Sequence, residues 1–230
     1  MNYQLSNKGA FPLVLVNLGA GEEIKIESGS MVYHNGKVEL EGKMNSGSGG
    51  IGGFLKAAAK SVVSGEGVFI TTAKGTAPDG LIAIAPGSIG AIKELTVGAE
   101  KWRINDGCFL ACDSSVTYEM KRQSVAKAIF GGTGGLFVME TNGQGTMIVT
   151  GFGDIIEVDL DGTKPFTVDN THVVAWSSSL SYNIKAASGT FGFKTGEGVV
   201  NEFVGQGKLL IQTRTIASLA ELINPFISSS

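Results

Sequence analysis

Apolar and polar residues alternate with a period of two along much of this chain, the pattern of a strand with one face on a core. Val38 and Leu40, Ile104 then Phe109, Ile148, Ile156 with Val158 and Leu160, and Leu209 with Ile211 are the apolar members. A longer order lies over this one. Residues 102–120 (WRINDGCFLACDSSVTYEM) align without a gap on 166–184 (FTVDNTHVVAWSSSLSYNI), and 24–43 form a weaker third copy. Glycine-flanked apolar strands start near Gly65, Gly134 and Gly196, and an identical Gly-Gln-Gly turn recurs at 143–145 and 205–207. The pattern predicts an all-β chain of three pseudo-symmetric units. They cover 65–120, 134–184, and 1–43 together with 196–230, joined by linkers 44–64 and 121–133. The unit beginning at 196 lacks a second half and the N-terminus supplies only a second half. The expectation is therefore a ring closed by both chain ends, with no sheet edge left open.

Helix signals are few. Residues 54–63 (FLKAAAKSVV) put Phe54, Leu55, Ala58 and Val62 on one side and Lys56 with Lys60 on another, and 124–130 repeat the theme more briefly. Near the C-terminus Ser218 and Glu221 have capping-box spacing. Leu219, Leu222 and Ile223 form an apolar face there, and Pro225 ends the helix. This element is expected to pack as a lid.

Composition narrows the class. Glycine supplies 34 of 230 residues and proline only 5, a balance suited to many tight turns between short strands. A hydrophobic content of 43% excludes a disordered chain. The longest uninterrupted apolar runs, 11–16 and 81–86, fall far short of the ~20 residues of a spanning helix. No basic region precedes an apolar segment at the N-terminus, so the expected address is the cytoplasm. Net charge is −3 and Lys and Arg are scattered, which disfavours nucleic acid as a partner. Cys108 and Cys112 lie four apart on a predicted strand, about 13 Å between Cα atoms, too far for a disulfide.

Motifs that carry chemistry elsewhere read as structure here. Gly47–Gly52 fits G-x-G-x-x-G, yet it sits in a glycine-dense linker and no βαβ series follows, so it is read as linker. Gly131–Gly135 could cradle an anion, but a glycine junction opens every unit, which favours a chain reversal. Ser30, Cys108 and His172 share one repeat position, and His34, Cys112 and Trp176 share another. Each set has two strong donors, too few for zinc. Asp154, Glu157, Asp159 and Asp161 include an alternating strand face, read as solvated. No catalytic, cofactor or metal residue is expected.

Gly29-Ser-Met-Val-Tyr33, the glycine-rich stretch before Phe54-Leu-Lys56, Gly65-Glu-Gly-Val-Phe69, His172-Val-Val-Ala-Trp176, Leu210-Ile-Gln-Thr-Arg214 and Asn224-Pro225-Phe226 follow one another in order. Over nearly the whole chain they resemble the AIM24 family, an uncharacterised group shared by bacteria and a fungal mitochondrial protein. The resemblance implies β-sandwich or barrel-like units of the double-stranded β-helix type, like those of the tryptophan RNA-binding attenuation protein, about a pseudo-threefold axis, commonly as a homotrimer. It lends no catalytic residue. The functional expectation is a non-enzymatic oligomeric scaffold that is membrane-peripheral or meets a protein partner. Gly49, Gly50, Gly52, Phe54, Leu55, Lys56 and Lys60 are its candidate interaction residues. The alternative is a ring that binds a small ligand or RNA as a regulator.

Overall fold

A computed structural model describes residues 1–6, 9, 11–43, 70–122, 137–186 and 199–227. The chain is mostly β. In chain order the strands are β1 (Asn2–Leu5), β2 (Val14–Leu18), β3 (Glu23–Glu27), β4 (Met31–His34), β5 (Val38–Lys43), β6 (Ile70–Gly75) and β7 (Gly80–Ile84). Next come β8 (Ile92–Val97), β9 (Trp102–Asn105), β10 (Phe109–Asp113), β11 (Val116–Arg122), β12 (Phe137–Gly143), β13 (Gly145–Thr150) and β14 (Ile155–Asp161). The last are β15 (Phe166–Asp169), β16 (Val173–Ser177), β17 (Ser181–Ala186), β18 (Val199–Val204) and β19 (Gln206–Gln212), followed by one short helix, α1 (Ile216–Ile223).

The strands form four antiparallel sheets with the orders β1-β2-β7-β4, β5-β6-β3-β10-β13-β8, β11-β12-β9-β16-β19-β14 and β15-β18-β17. Adding six to every strand number of the first six-stranded sheet gives the second, in the same order. Register follows suit. Ala111 faces Ile26 and Cys112 faces Lys25 where β10 meets β3; Ala175 faces Ile104 and Trp176 faces Arg103 where β16 meets β9. A register shift falls at the corresponding place in three strands, between Phe109 and Ala111, Val173 and Ala175, and Met31 and Tyr33. An extra residue there bends each strand and raises its twist.

Side-chain alternation explains the outer strands. Val14, Val16 and Leu18 of β2 and Ile24 and Ile26 of β3 are buried, while Asn17 is exposed and Glu23, Lys25 and Glu27 stay partly in solvent. The inner strands are different: β10 buries Phe109 through Cys112 and β16 buries all five residues. Such strands are covered on both faces, so their apolar runs are continuous and period two is lost.

Among the described residues β1 pairs with β2 and β2 with β7, whereas β18 and β19 pair with β15, β17, β14 and β16. The N-terminal pair packs its apolar residues with Ile82 and Ile84 of β7. One expectation is corrected: α1 is not a lid. None of its residues is buried, and its N-cap is Thr215, whose hydroxyl accepts from the Ser218 N–H at 3.0 Å. Among the described residues no helix is long and apolar enough to cross a membrane.

Candidate functional site

Two features stand out as sites, a pair of open strand edges and a polar cavity. β10 is flanked by β3 and β13, and β16 by β9 and β19, but β4, at the corresponding place, pairs only with β7 among the described residues. β15, which corresponds to β3 and β9, likewise pairs only with β18. All four residues of β4 are exposed, Val32 at 54% and Tyr33 at 46%. An edge of this kind offers a row of unpaired N–H and C=O groups to another strand.

The cavity lies where β16, β17 and β18 meet β9 and β12. Asn105, Val138, Asn170, Trp176, Tyr182, Ile184 and Asn201 line it, and the space between them is too narrow to seat a water. Aromatic rings fix its walls. Trp176 meets Tyr182 edge-on at 4.9 Å and 70°, and Phe203 at 5.6 Å and 65°. The Arg103 guanidinium lies 5.6 Å from the Tyr182 ring centre, donates to the Leu180 carbonyl at 3.0 Å, and is held by Glu140 at 2.7 Å. Cation–π contact and the ion pair thus anchor the ring from outside. Asn105 Nδ2 donates to the Val173 carbonyl at 2.9 Å.

Two polar atoms of this cavity have no partner: the indole Nε1 of Trp176 and Oδ1 of Asn201. Their residues are 1% and 2% exposed. Buried polar groups are almost always hydrogen-bonded, and each orphan costs about 1–3 kcal/mol. The chain's other tryptophan obeys the rule, Trp102 Nε1 donating to the Thr96 carbonyl at 3.0 Å.

At the corresponding place one unit earlier, where β10 and β6 meet β11 and β12, the lining is mostly apolar, with Glu27 and Asp106 standing where Asn105 and Asn170 do. Cys112, Met139 and Ile70 are buried in one cluster with Tyr118 and Met120 against it, and Lys25 sits 6.0 Å from the Tyr118 ring centre. Glu27 is half-buried there and Asp106 is exposed. Burial, then the Asp106 charge, raises the Glu27 carboxyl above its usual range, and burial raises Asp106. Burial pushes the Cys108 and Cys112 thiols up to about 12, so neither is a ready nucleophile. Both are free thiols.

The interaction residues anticipated from sequence, Gly49, Gly50, Gly52, Phe54, Leu55, Lys56 and Lys60, lie outside the described residues, as do both G-rich motifs and the helices expected at 54–63 and 124–130. His34, Cys112 and Trp176 fall in three different sheets. His172 Nδ1 sits 2.6 Å from the Gln212 carbonyl. Glu157 is not merely solvated: Lys208, then Lys93, pairs with it and holds its carboxyl below the usual range. Asn105, Asn170, Asn201 and Tyr182 escaped sequence reasoning. The available signal was the unlike trio His34, Cys112 and Trp176 at one repeat position, which marks where the units differ.

A chain of antiparallel sheets, with β4 and β15 at sheet edges among its described residues, defines an all-β protein. The family described as Mitochondrial biogenesis AIM24 matches residues 3–214, and the chain belongs to that family. An uncharacterised protein of Streptococcus pyogenes serotype M6 is 42% identical over 231 residues, covering 100% of this chain and 92% of the relative. The crystal structure of a Streptococcus pyogenes protein, 41% identical, superposes with a TM-score of 0.81 over 98% of this chain and 99% of that one.

Proposed function

We propose that the chain is a non-enzymatic cytoplasmic scaffold that assembles from copies of itself, β4 of one copy pairing with β15 of the next, with the homotrimer as the closed form. The observation that carries this reading is the pair of open edges. Carrying the register of β3–β10 and β9–β16 onto them sets Tyr33 opposite Val168 and His34 opposite Thr167. Such a contact is head-to-tail, and it closes into a ring when the rotation per copy allows. Two buried, reduced thiols suit a reducing compartment. Linker 44–64, with Phe54, Leu55, Lys56 and Lys60, is the surface assigned to a protein partner or an anionic membrane lain upon rather than crossed.

The test is a register-specific cross-link. Tyr33→Cys with Val168→Cys is expected to give disulfide-linked dimers and trimers on mild oxidation, while Tyr33→Cys with Phe166→Cys, two residues out of register, gives none. The native thiols, buried and weakly acidic, stay out of the exchange. Monomeric mass by sedimentation equilibrium, together with no cross-link in the in-register pair, would overturn the proposal. The cavity beside Trp176 favours a second reading, a small-ligand-binding regulator, over RNA binding.

A further inference from the structure

We infer that His34 is the residue by which one copy of the chain recognises the next: its imidazole docks against Asp169 and Glu202 of the adjoining copy, so assembly takes up a proton and tightens on acidification. The inference rests on the scaffold reading and supplies the chemistry of its contact. Two junctions within the chain show the pattern. Cys112 of β10 stands opposite Lys25 of β3, and Trp176 of β16 stands opposite Arg103 of β9. Each time the strand that receives β10 or β16 carries a cation, and a tyrosine lies against it, Tyr118 at 6.0 Å from Lys25 and Tyr182 at 5.6 Å from Arg103.

The open edges carry a different set. In the register of those junctions His34 of β4 faces Thr167 of β15, so no cation stands where Lys25 and Arg103 do. Leu40, 39% exposed, takes the place of the tyrosines. One carboxylate is thereby left with fewer partners. Glu140, across from Arg103, is held by Arg103 at 2.7 Å and by Lys121; Glu202, across from Thr167, has only Lys185 at 2.6 Å among the described residues. Asp169 lies two residues beyond Thr167 on β15 and shares its face. It uses Oδ1 to accept from Thr171, which leaves Oδ2 for a donor from the next copy. β15 and β18 thus offer two carboxylates against one ammonium, and the imidazolium of His34 is the cation that balances them.

No group on the same copy competes for that charge. His34 is exposed and faces Ile82 across β7. Ser28, Leu40 and Thr71 hold the places around it that Asn170, Tyr182 and Asn201 hold around Trp176, and none of them is charged. Glu39 and Glu41 alternate with Leu40 on β5 and so belong to its opposite face, while Lys37 is paired with Asp79. His34 Nδ1 accepts from the Gly36 N–H at 3.1 Å. Protonation gives up that exposed bond equally in the free and the assembled copy, so it leaves the sign of the effect unchanged. Two nearby carboxylates favour the imidazolium. The contact is therefore strongest below the ordinary imidazole value of about 6.5 and weakens as pH rises through and above it.

Sedimentation equilibrium of the full chain at about pH 8 and about pH 6 brackets the imidazole while carboxylates stay ionised. Wild type is expected to associate about threefold to tenfold more tightly at the lower pH, the scale of one ion pair at a partly covered contact. His34→Gln, which cannot take up the proton, should associate weakly at both values; His34→Lys, charged throughout, should associate tightly at both. Asp169→Asn keeps a capping oxygen for Thr171 and should shrink the wild-type response. His172, the chain's other histidine, is present in every variant, so a response that survives in His34→Gln belongs elsewhere. Three results would overturn the inference: association of wild type that ignores pH, association that weakens on acidification, or an undiminished response in folded His34→Gln. The wild-type profile and Asp169→Asn decide even if a His34 variant does not fold. A chain that stays monomeric at both values takes the scaffold reading down as well, whereas an assembled chain indifferent to pH removes this inference alone.

Discussion

The Cys112 region and the Trp176 region are built on corresponding strands of two sheets with one pairing order, and they were filled in opposite ways. In the first, sulfur and branched aliphatic side chains close the space: Cys112, Met139 and Ile70, with Tyr118 and Met120 at the border. In the second, an indole and three asparagines surround a cavity that keeps two polar atoms unpaired. The outer cation is the same in kind. Lys25 reaches the Val116 carbonyl at 2.5 Å and lies against Tyr118; Arg103 reaches the Leu180 carbonyl at 3.0 Å and lies against Tyr182. Backbone geometry and the cation–tyrosine brace are thus shared, while the central residue and its neighbour on the next strand decide whether the space is filled by sulfur and apolar groups or leaves polar atoms unpaired. Thioethers adapt to irregular gaps; an indole with nothing to donate to does not.

The largest effect comes from forcing the second region toward the first at its centre. Trp176→Cys removes the ring that Tyr182 and Phe203 meet edge-on and leaves a cavity in a cluster with Val138, Val173, Leu180 and Leu209. Large-to-small changes of this kind cost about 3–5 kcal/mol. Chemical denaturation should show a lower midpoint with an unchanged slope, since the surface exposed on unfolding hardly changes. A loss under about 1 kcal/mol would mean that the aromatic box is not packed as described.

The neighbouring swap has the opposite sign. Asn201→Met installs the residue found at the corresponding place, so Oδ1 no longer lies buried without a donor. The expected outcome is stabilisation of about 1 kcal/mol, the lower end of what an unsatisfied buried group costs, measured as a raised melting temperature. Destabilisation would show that Asn201 contributes a bond that the cavity geometry does not reveal.

The sequence made some of this legible. Period-two alternation picked out Val158 and Leu160 of β14 and Leu209 and Ile211 of β19, which pack in one apolar cluster, while Ile156, read on the same face, is 48% exposed; the segments 102–120 and 166–184 carry β10 and β16, whose pairings with β3 and β9 share one register. A repeat seen in sequence says which segments are alike and not which ones pair: β2 pairs with β7, and among the described residues β4 and β15 each pair on one side alone. The cavity was hidden for a related reason. Asn105, Asn170 and Asn201 come from three segments far apart in the chain, each an ordinary turn or strand residue by itself, and only cross-strand register gathers them around Trp176. The exposed α1 was misjudged because amphipathic spacing predicts an apolar face without saying whether this chain covers it: Leu222 is 68% exposed.

The smallest and most diagnostic difference is in protons. Glu27 and Asp106 occupy the places that Asn105 and Asn170 hold in the second region, so one region titrates and the other does not. Burial raises both carboxyls, and for Glu27 the Asp106 charge adds to it. The folded state therefore binds these protons more tightly than the unfolded chain does. The stability this contributes is fully present below the ordinary carboxylate value of about 4, and it is lost as pH rises through the raised values. Glu27→Gln should stabilise the protein near pH 7 relative to wild type, with the advantage shrinking as pH falls. The reverse exchange, Asn105→Asp, should destabilise near pH 7, with the deficit shrinking on acidification. Taking each as a difference from wild type at the same pH removes the opposing contribution of carboxylates such as Glu157, whose lysine partners hold them low. Parallel, pH-independent offsets in both variants would mean that these positions do not differ in electrostatic environment, and the contrast between the two regions would then rest on packing alone.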